Sequence, residues 1–160
     1  MMKQPIEDIL REASIKTFED ACFMYLVPEL KDEQKKLPLE AVAEVKFKGD
    51  SSGKLIVAAS GDLFAAIAKN MLSTESPTAL QKKDALGEVA NIICGNVIPS
   101  LDRKSRKGYK IFSPKFFGKD EIKKEESGSP LAQITLNLNQ GRADIKLFVD
   151  EFPVAKEKKD

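Results

Sequence analysis

Two stretches of the chain alternate apolar and polar residues and fold back at a turn, and that pattern limits the possible fold more than any other feature. Val45 and Phe47 alternate with Glu44, Lys46 and Lys48; the turn residues Gly49-Asp50-Ser51-Ser52-Gly53 follow, and Lys54 to Ala59 resumes an apolar, β-rich run. Ile134, Leu136 and Leu138 alternate with Gln133, Thr135 and Asn137, and Gln140-Gly141 turns the chain into Ile145, Leu147 and Val149. A period of two sends successive side chains to opposite faces, so each hairpin owns one apolar face that another layer must cover. Helical patterns supply that layer. From Pro5 to Leu26, apolar residues recur at Ile6, Ile9, Leu10, Ala13, Phe18, Ala21, Cys22 and Tyr25, and Pro28 closes the run. Ser60 is placed to cap a helix carrying Leu63, Phe64, Ile67, Ala68, Met71 and Leu72. A third helix is predicted from Ala79 to Ile98, with Pro99 ending or kinking it, and a short strand from Tyr109 to Phe112. The expected fold is α+β, a two-layer sandwich with helices packed on one face of a largely antiparallel sheet.

A length of 160 residues suits one domain over 1–160, with a leading helix within 1–30 and a frayed, charged tail over 151–160. Residues 32–36 and 119–129 read as charged loops. Composition then narrows the chemistry. No histidine is present, which excludes a His-based general acid or base, a Ser-His-Asp or Cys-His nucleophile, a phosphohistidine and most zinc sites. Lys+Arg 26 against Asp+Glu 25 leaves a formal charge of +1, which is not the footprint of a nucleic-acid binder; Arg103-Lys104-Ser105-Arg106-Lys107 is the one local charge run in favour of that reading. Cys22 and Cys94 lie among apolar neighbours and read as buried free thiols. Glu7, Asp8 and Glu12 argue against a signal peptide, and the longest apolar runs fall short of a membrane span, so a cytoplasmic protein is expected.

The third helix carries the functional reading. Leu86, Val89, Ala90, Ile93 and Val97 share one side and form its buried face. Asp84, Glu88, Asn91 and Gly95 fall on the other side as an exposed polar stripe. Gly95 costs about 1 kcal/mol relative to Ala in a helix interior, and its bare backbone would admit a partner's surface or relieve a helix crossing. By spacing alone, the stripe reads more readily as a solvated face than as a site.

The extended pattern is more specific. Asp84-x-x-x-Glu88-x-x-Asn91 is followed after 22 residues by Pro114, and then by Gly118 in Pro114-Lys115-Phe116-Phe117-Gly118. This closely resembles the Asp/Ser-x3-Glu-x2-Asn-x22-Pro signature of the CheC, CheX and FliY phosphatases of bacterial chemotaxis. The wording Leu86-Gly87-Glu88-Val89-Ala90-Asn91-Ile92-Ile93 is also similar to that family's helix. CheC-like members carry two such helices; one is present here, behind a leading helix, so the resemblance is to the single-motif CheX. It implies dephosphorylation of the phospho-aspartate of a CheY-like response regulator, with Asn91 positioning water and Glu88 docking onto the regulator's lysine. Asp84 would cap the helix start or, with Gly95, contact the partner, while Pro114 and Gly118 would be structural. No cofactor or metal of its own is implied, because the regulator brings Mg²⁺. A homodimer is implied too, with Ala132 to Leu138 and Ile145 to Val149 as the strands that would pair across the two-fold. The alternative from another class is a non-catalytic module of the same fold that docks a receiver domain or a flagellar-switch component.

Overall fold

The computed structural model describes residues 5–27, 35–101, 108–121 and 129–151. Helix α1 spans Ile6–Cys22, strands β1 Leu39–Lys48 and β2 Ser52–Ser60, helices α2 Leu63–Leu72 and α3 Ala79–Val97, and strands β3 Lys110–Ile111, β4 Lys115–Gly118, β5 Ala132–Leu138 and β6 Gly141–Glu151. The strands form one six-stranded sheet in the order β3-β1-β2-β6-β5, with β4 also on β1, and every pairing is antiparallel. The α+β sandwich is therefore observed.

Both hairpins follow their alternation. Val45, Phe47, Leu55, Val57, Ile134, Leu136, Ile145 and Leu147 turn inward and meet Leu10, Phe18, Leu63, Ile67, Leu86, Val89 and Ile93 from the helices in one buried cluster. The intervening residues face the other way and are polar where β5 meets β6: Thr135 Oγ1 donates to Asp144 Oδ1 (2.7 Å), and Arg142 Nε pairs with Asp144 Oδ2 at 3.0 Å. Gly141, with φ 154°, sits where a Cβ would strike the Ser60 carbonyl oxygen, so glycine is required at the start of β6.

Several expectations are corrected. Helix α1 stops at Cys22, before Tyr25 and Leu26, because Phe23 takes a left-handed conformation (φ 56°) and the N–H of Met24 returns to the Phe18 carbonyl (2.9 Å). Tyr25 is accordingly 59% exposed and is not part of the apolar stripe. Ser60 does not cap α2; it ends β2, is buried, and its hydroxyl accepts from Arg142 Nη2 (3.3 Å). Asp62 holds the N-cap position without a side-chain bond. Pro99 ends α3 in a single 3₁₀ turn, Ile98–Ser100. The predicted strand at 109–112 shortens to Lys110–Ile111, and β4 is a strand that alternation did not announce. Strand β6 lies between β2 and β5, so of the two strands expected to pair across a two-fold only β5 is at an edge. Pro28, most of the 32–36 and 119–129 loops, the 103–107 charge run and the 152–160 tail lie outside the described residues.

Cys22 and Cys94 are free and buried, and burial pushes each thiol from 9.0 up to about 12. The folded chain holds both thiols protonated where the unfolded chain would ionise them. Their contribution to stability is therefore intact below pH 9.0 and is lost progressively as pH rises toward about 12. Urea unfolding should show a falling midpoint over that window, and a chain with both cysteines replaced by alanine should show a shallower fall; equal slopes would contradict the assignment.

Candidate functional site

Helix α3 begins with a capping box. The Thr78 hydroxyl accepts from the Gln81 N–H (3.1 Å), and Gln81 Oε1 accepts from the Thr78 N–H (2.9 Å). This arrangement contributes about 1 kcal/mol and fixes where the helix starts. Asp84 lies well inside the helix and is exposed, so it is not the cap.

At about 100° per residue, Leu86, Val89, Ala90, Ile93 and Val97 face the sheet, and all are buried as expected. Glu88 is exposed on the opposite side, and among the described residues it makes no ion pair. Gly95 is exposed too; a Cβ there would meet only Ile111 Cδ1, at 3.9 Å, so among the described residues no helix crosses at that point and the backbone is open to approach.

Asn91 differs from the fully exposed position expected for it. It is half-buried, and its Oδ1 atom is buried with no hydrogen-bond partner. The same helix face carries Gly87, which packs against Pro114. The chain from Ile111 to Pro114 crosses from β3 to β4 along the edge of β1: the N–H of Phe112 donates to the Lys46 carbonyl (2.9 Å), and the β1 register then slips by one residue before Glu44 pairs with Lys115. Proline, lacking an N–H, is tolerated at such an edge irregularity. Pro114 leans on α3 so closely that a Cβ on Gly87 would stand 3.1 Å from its Cβ and 3.2 Å from its Cγ. Asn91 is one turn from Gly87 and one turn from Gly95, so it lies on the rim where this edge meets the helix. Its amide is thus held at a boundary between core and solvent, one turn from Glu88. Pro114 packs against α3 at Gly87, beside that rim.

Gly118 closes β4: its N–H donates to Glu121 Oε1 (3.1 Å), and its carbonyl accepts from the Glu121 N–H (2.9 Å). The sequence reading passed over Gly87, although a second glycine in a helix interior is itself a signal of close approach. It also passed over an aromatic pair at the helix start, Phe64 and Phe116, stacked at 5.4 Å. Lys82 lies over Phe64 (5.7 Å) and Lys83 over Phe116 (5.3 Å), which ties β4 and α2 to the first turns of α3. Among the described residues no cluster of carboxylates and thiols is arranged to hold a metal, and no helix is long and apolar enough to cross a membrane.

The fold is shared with solved structures. The chemotaxis protein CheX from Desulfovibrio desulfuricans matches with a TM-score of 0.71 at 18% identity, over 91% of this chain and 99% of its own. CheX from Vibrio vulnificus matches at 0.69 and 14%, over 94% and 99%. CheX from Borrelia burgdorferi, solved in complex with CheY, BeF₃ and Mg²⁺, matches at 0.64 and 18%, over 90% and 97%. No curated protein matches the chain by sequence. The family model of chemotaxis phosphatase CheX matches residues 41–137, which include most of the first hairpin, the whole of α3 and Pro114. By that match the chain belongs to the CheX family of chemotaxis phosphatases.

Proposed function

We propose that this chain hydrolyses the aspartyl phosphate of a CheY-like receiver domain, using Asn91 to orient the attacking water and Glu88 to fix the docked register. The observation that carries this reading is the place of Asn91, half-buried on the solvent side of α3 and within one turn of exposed Glu88. An amide at that rim is within reach of a water molecule held between the helix and a docked phosphoryl group. The amide is neutral, so it adds no repulsion beside the phosphoryl oxygens, and it offers a donor and an acceptor together. Acyl phosphates are already labile. Catalysis then reduces to placing water in line and completing the electrostatics, while the receiver supplies Mg²⁺ and its own lysine. No cofactor of the chain's own enters this scheme. With a receiver-domain partner, the protein would act in the cytoplasm.

Glu88, exposed and without an ion pair among the described residues, suits a partner lysine, and Asp84 and Gly95 flank it as further contact positions. Glu88→Ala should weaken binding to a beryllofluoride-activated receiver by roughly 1–3 kcal/mol, through loss of a charge-assisted bond, with folding stability changed by no more than about 0.5 kcal/mol. Titration of wild type and variant against activated and inactive receiver tests this. Unchanged affinity would remove Glu88 from the interface, and wild-type affinity equal for both receiver states would favour a non-catalytic docking module.

The homodimer also belongs to this proposal, now through one edge. Strand β5 pairs with β6 on one side only, and its far side meets the Leu26–Val27 segment near Asn137 and Leu138, where the Val27 N–H donates to the Asn137 carbonyl (2.9 Å). Among the described residues the remainder of β5 has no strand partner on that side, and we assign it to a second copy, next to exposed Phe23 and Tyr25. Sedimentation at micromolar concentration should report twice the 17.7 kDa chain mass. A 17.7 kDa species alone would overturn it.

A further inference from the structure

A cleft of about 700 Å³ opens on the sheet face turned away from the helices, lined by Lys46, Lys48, Lys54, Phe112, Phe148 and Asp150 among others. Its side chains follow from register. Val45, Phe47 and Leu55 point into the core, so Lys46, Lys48 and Lys54 point out. Lys46 stands directly opposite Lys54 on β2, and Lys48 directly opposite Lys110 on β3. Like charges directly opposed across a sheet are unfavourable, and here two such pairs occupy adjacent positions of a protein whose formal charge is only +1. Lys54 is compensated by Glu44 at 3.6 Å and lies over the Phe148 ring at 5.4 Å; Lys110 lies over the Phe112 ring at 5.0 Å. Lys46 and Lys48 are exposed, and among the described residues neither pairs with a carboxylate. Among the described residues that line the cleft, Asp150 at the rim is the carboxylate, and Glu44 lies beside Lys54. Across one row the cleft therefore runs Phe112, Lys46, Lys54, Phe148, with lysines at its floor and an aromatic ring at each end. Phe112 remains 40% exposed, whereas Phe148 is buried to 5%.

We propose that this cleft binds a nucleoside di- or triphosphate, with the phosphates on Lys46 and Lys48 and the base against Phe112. Lysine ammonium groups bind phosphate as compact point charges, and an exposed ring provides a stacking surface for any base. The volume lies within the range of small-ligand pockets and is too small for an extended strand of nucleic acid. The site lies on the opposite layer from Asn91 and Glu88, so occupancy does not require the face of α3.

Calorimetric titration of the full chain at low ionic strength with ATP, with GTP and with inorganic pyrophosphate tests the proposal. The expected result is saturable binding of at least one nucleotide, one per chain, weakened about tenfold or more in the Lys46→Gln/Lys48→Gln variant. Phe112→Ala should weaken the nucleotide by about tenfold while leaving pyrophosphate within about twofold. These side chains are exposed, and unchanged circular dichroism and melting temperature should show that both variants fold. Absence of saturable heat at millimolar nucleotide would overturn the proposal. So would undiminished binding by the double variant, pyrophosphate binding as tight as nucleotide, or binding confined to long single-stranded oligonucleotides.

Discussion

Replacing Asn91 with alanine is expected to lower the turnover of a phosphorylated receiver by about 100-fold or more, while affinity for the beryllofluoride-activated receiver stays within a few-fold of wild type. The amide acts on the water in the transition state, so its loss falls on the chemical step and not on docking. Stability moves the other way from most substitutions at a half-buried position. Oδ1 is buried without a partner, and removing an unsatisfied buried acceptor releases its desolvation cost, so Asn91→Ala should fold with unchanged or slightly higher stability. Denaturant unfolding combined with phosphate-release assays on the same preparation reads both effects. Loss of activity together with several kcal/mol of stability would make Asn91 a structural residue. Full activity in the variant would remove it from the reaction.

Gly53→Ala is expected to cost about 2–4 kcal/mol, the largest effect on stability of any single methyl addition proposed here. Gly53 sits on β2 between β1 and β6, paired with Phe47 and Val149, and a Cβ there would fall on the carbonyl oxygen of Phe148. The obstacle is backbone, so no rotamer change relieves it; Phe47 Cζ closes the other side at 3.0 Å. Gly95→Ala is the matched contrast. Its Cβ would meet only Ile111 Cδ1 at 3.9 Å, and alanine gains about 0.5–1 kcal/mol of helix preference. Urea unfolding should place the two variants on opposite sides of wild type, and a stable Gly53→Ala chain would show that β2 and β6 separate more readily than their register implies.

The sheet's hairpins and the boundaries of α3 were legible because each is written locally: alternation around a turn, and an apolar stripe running from Ala79 to Val97. The residues of the stripe fell where helix geometry puts them. What escaped is long-range or conformational. Nothing in Lys115 to Gly118 alternates, and β4 forms because the edge of β1 offers it partners after Pro114. Pairing of β2 with β6 joins the two hairpins across most of the chain, and no local signal states which arm becomes the edge. Phe23 ends α1 by adopting a backbone conformation that few side chains favour, so the apolar spacing ran past the true end. Asn91 falls on the expected face but is half-buried, and the approach of Pro114 to Gly87, one turn away, comes from another layer of the structure.

Decay of a phosphorylated CheY-like receiver, followed in excess Mg²⁺ with this protein present at a small fraction of the receiver concentration, tests the proposed hydrolysis most directly. Faster decay than the receiver shows alone, with many phosphates released per chain, is the expected result. A decay constant unchanged by the protein, measured with a receiver that it demonstrably binds in its activated form, would contradict phosphatase activity and leave a docking module.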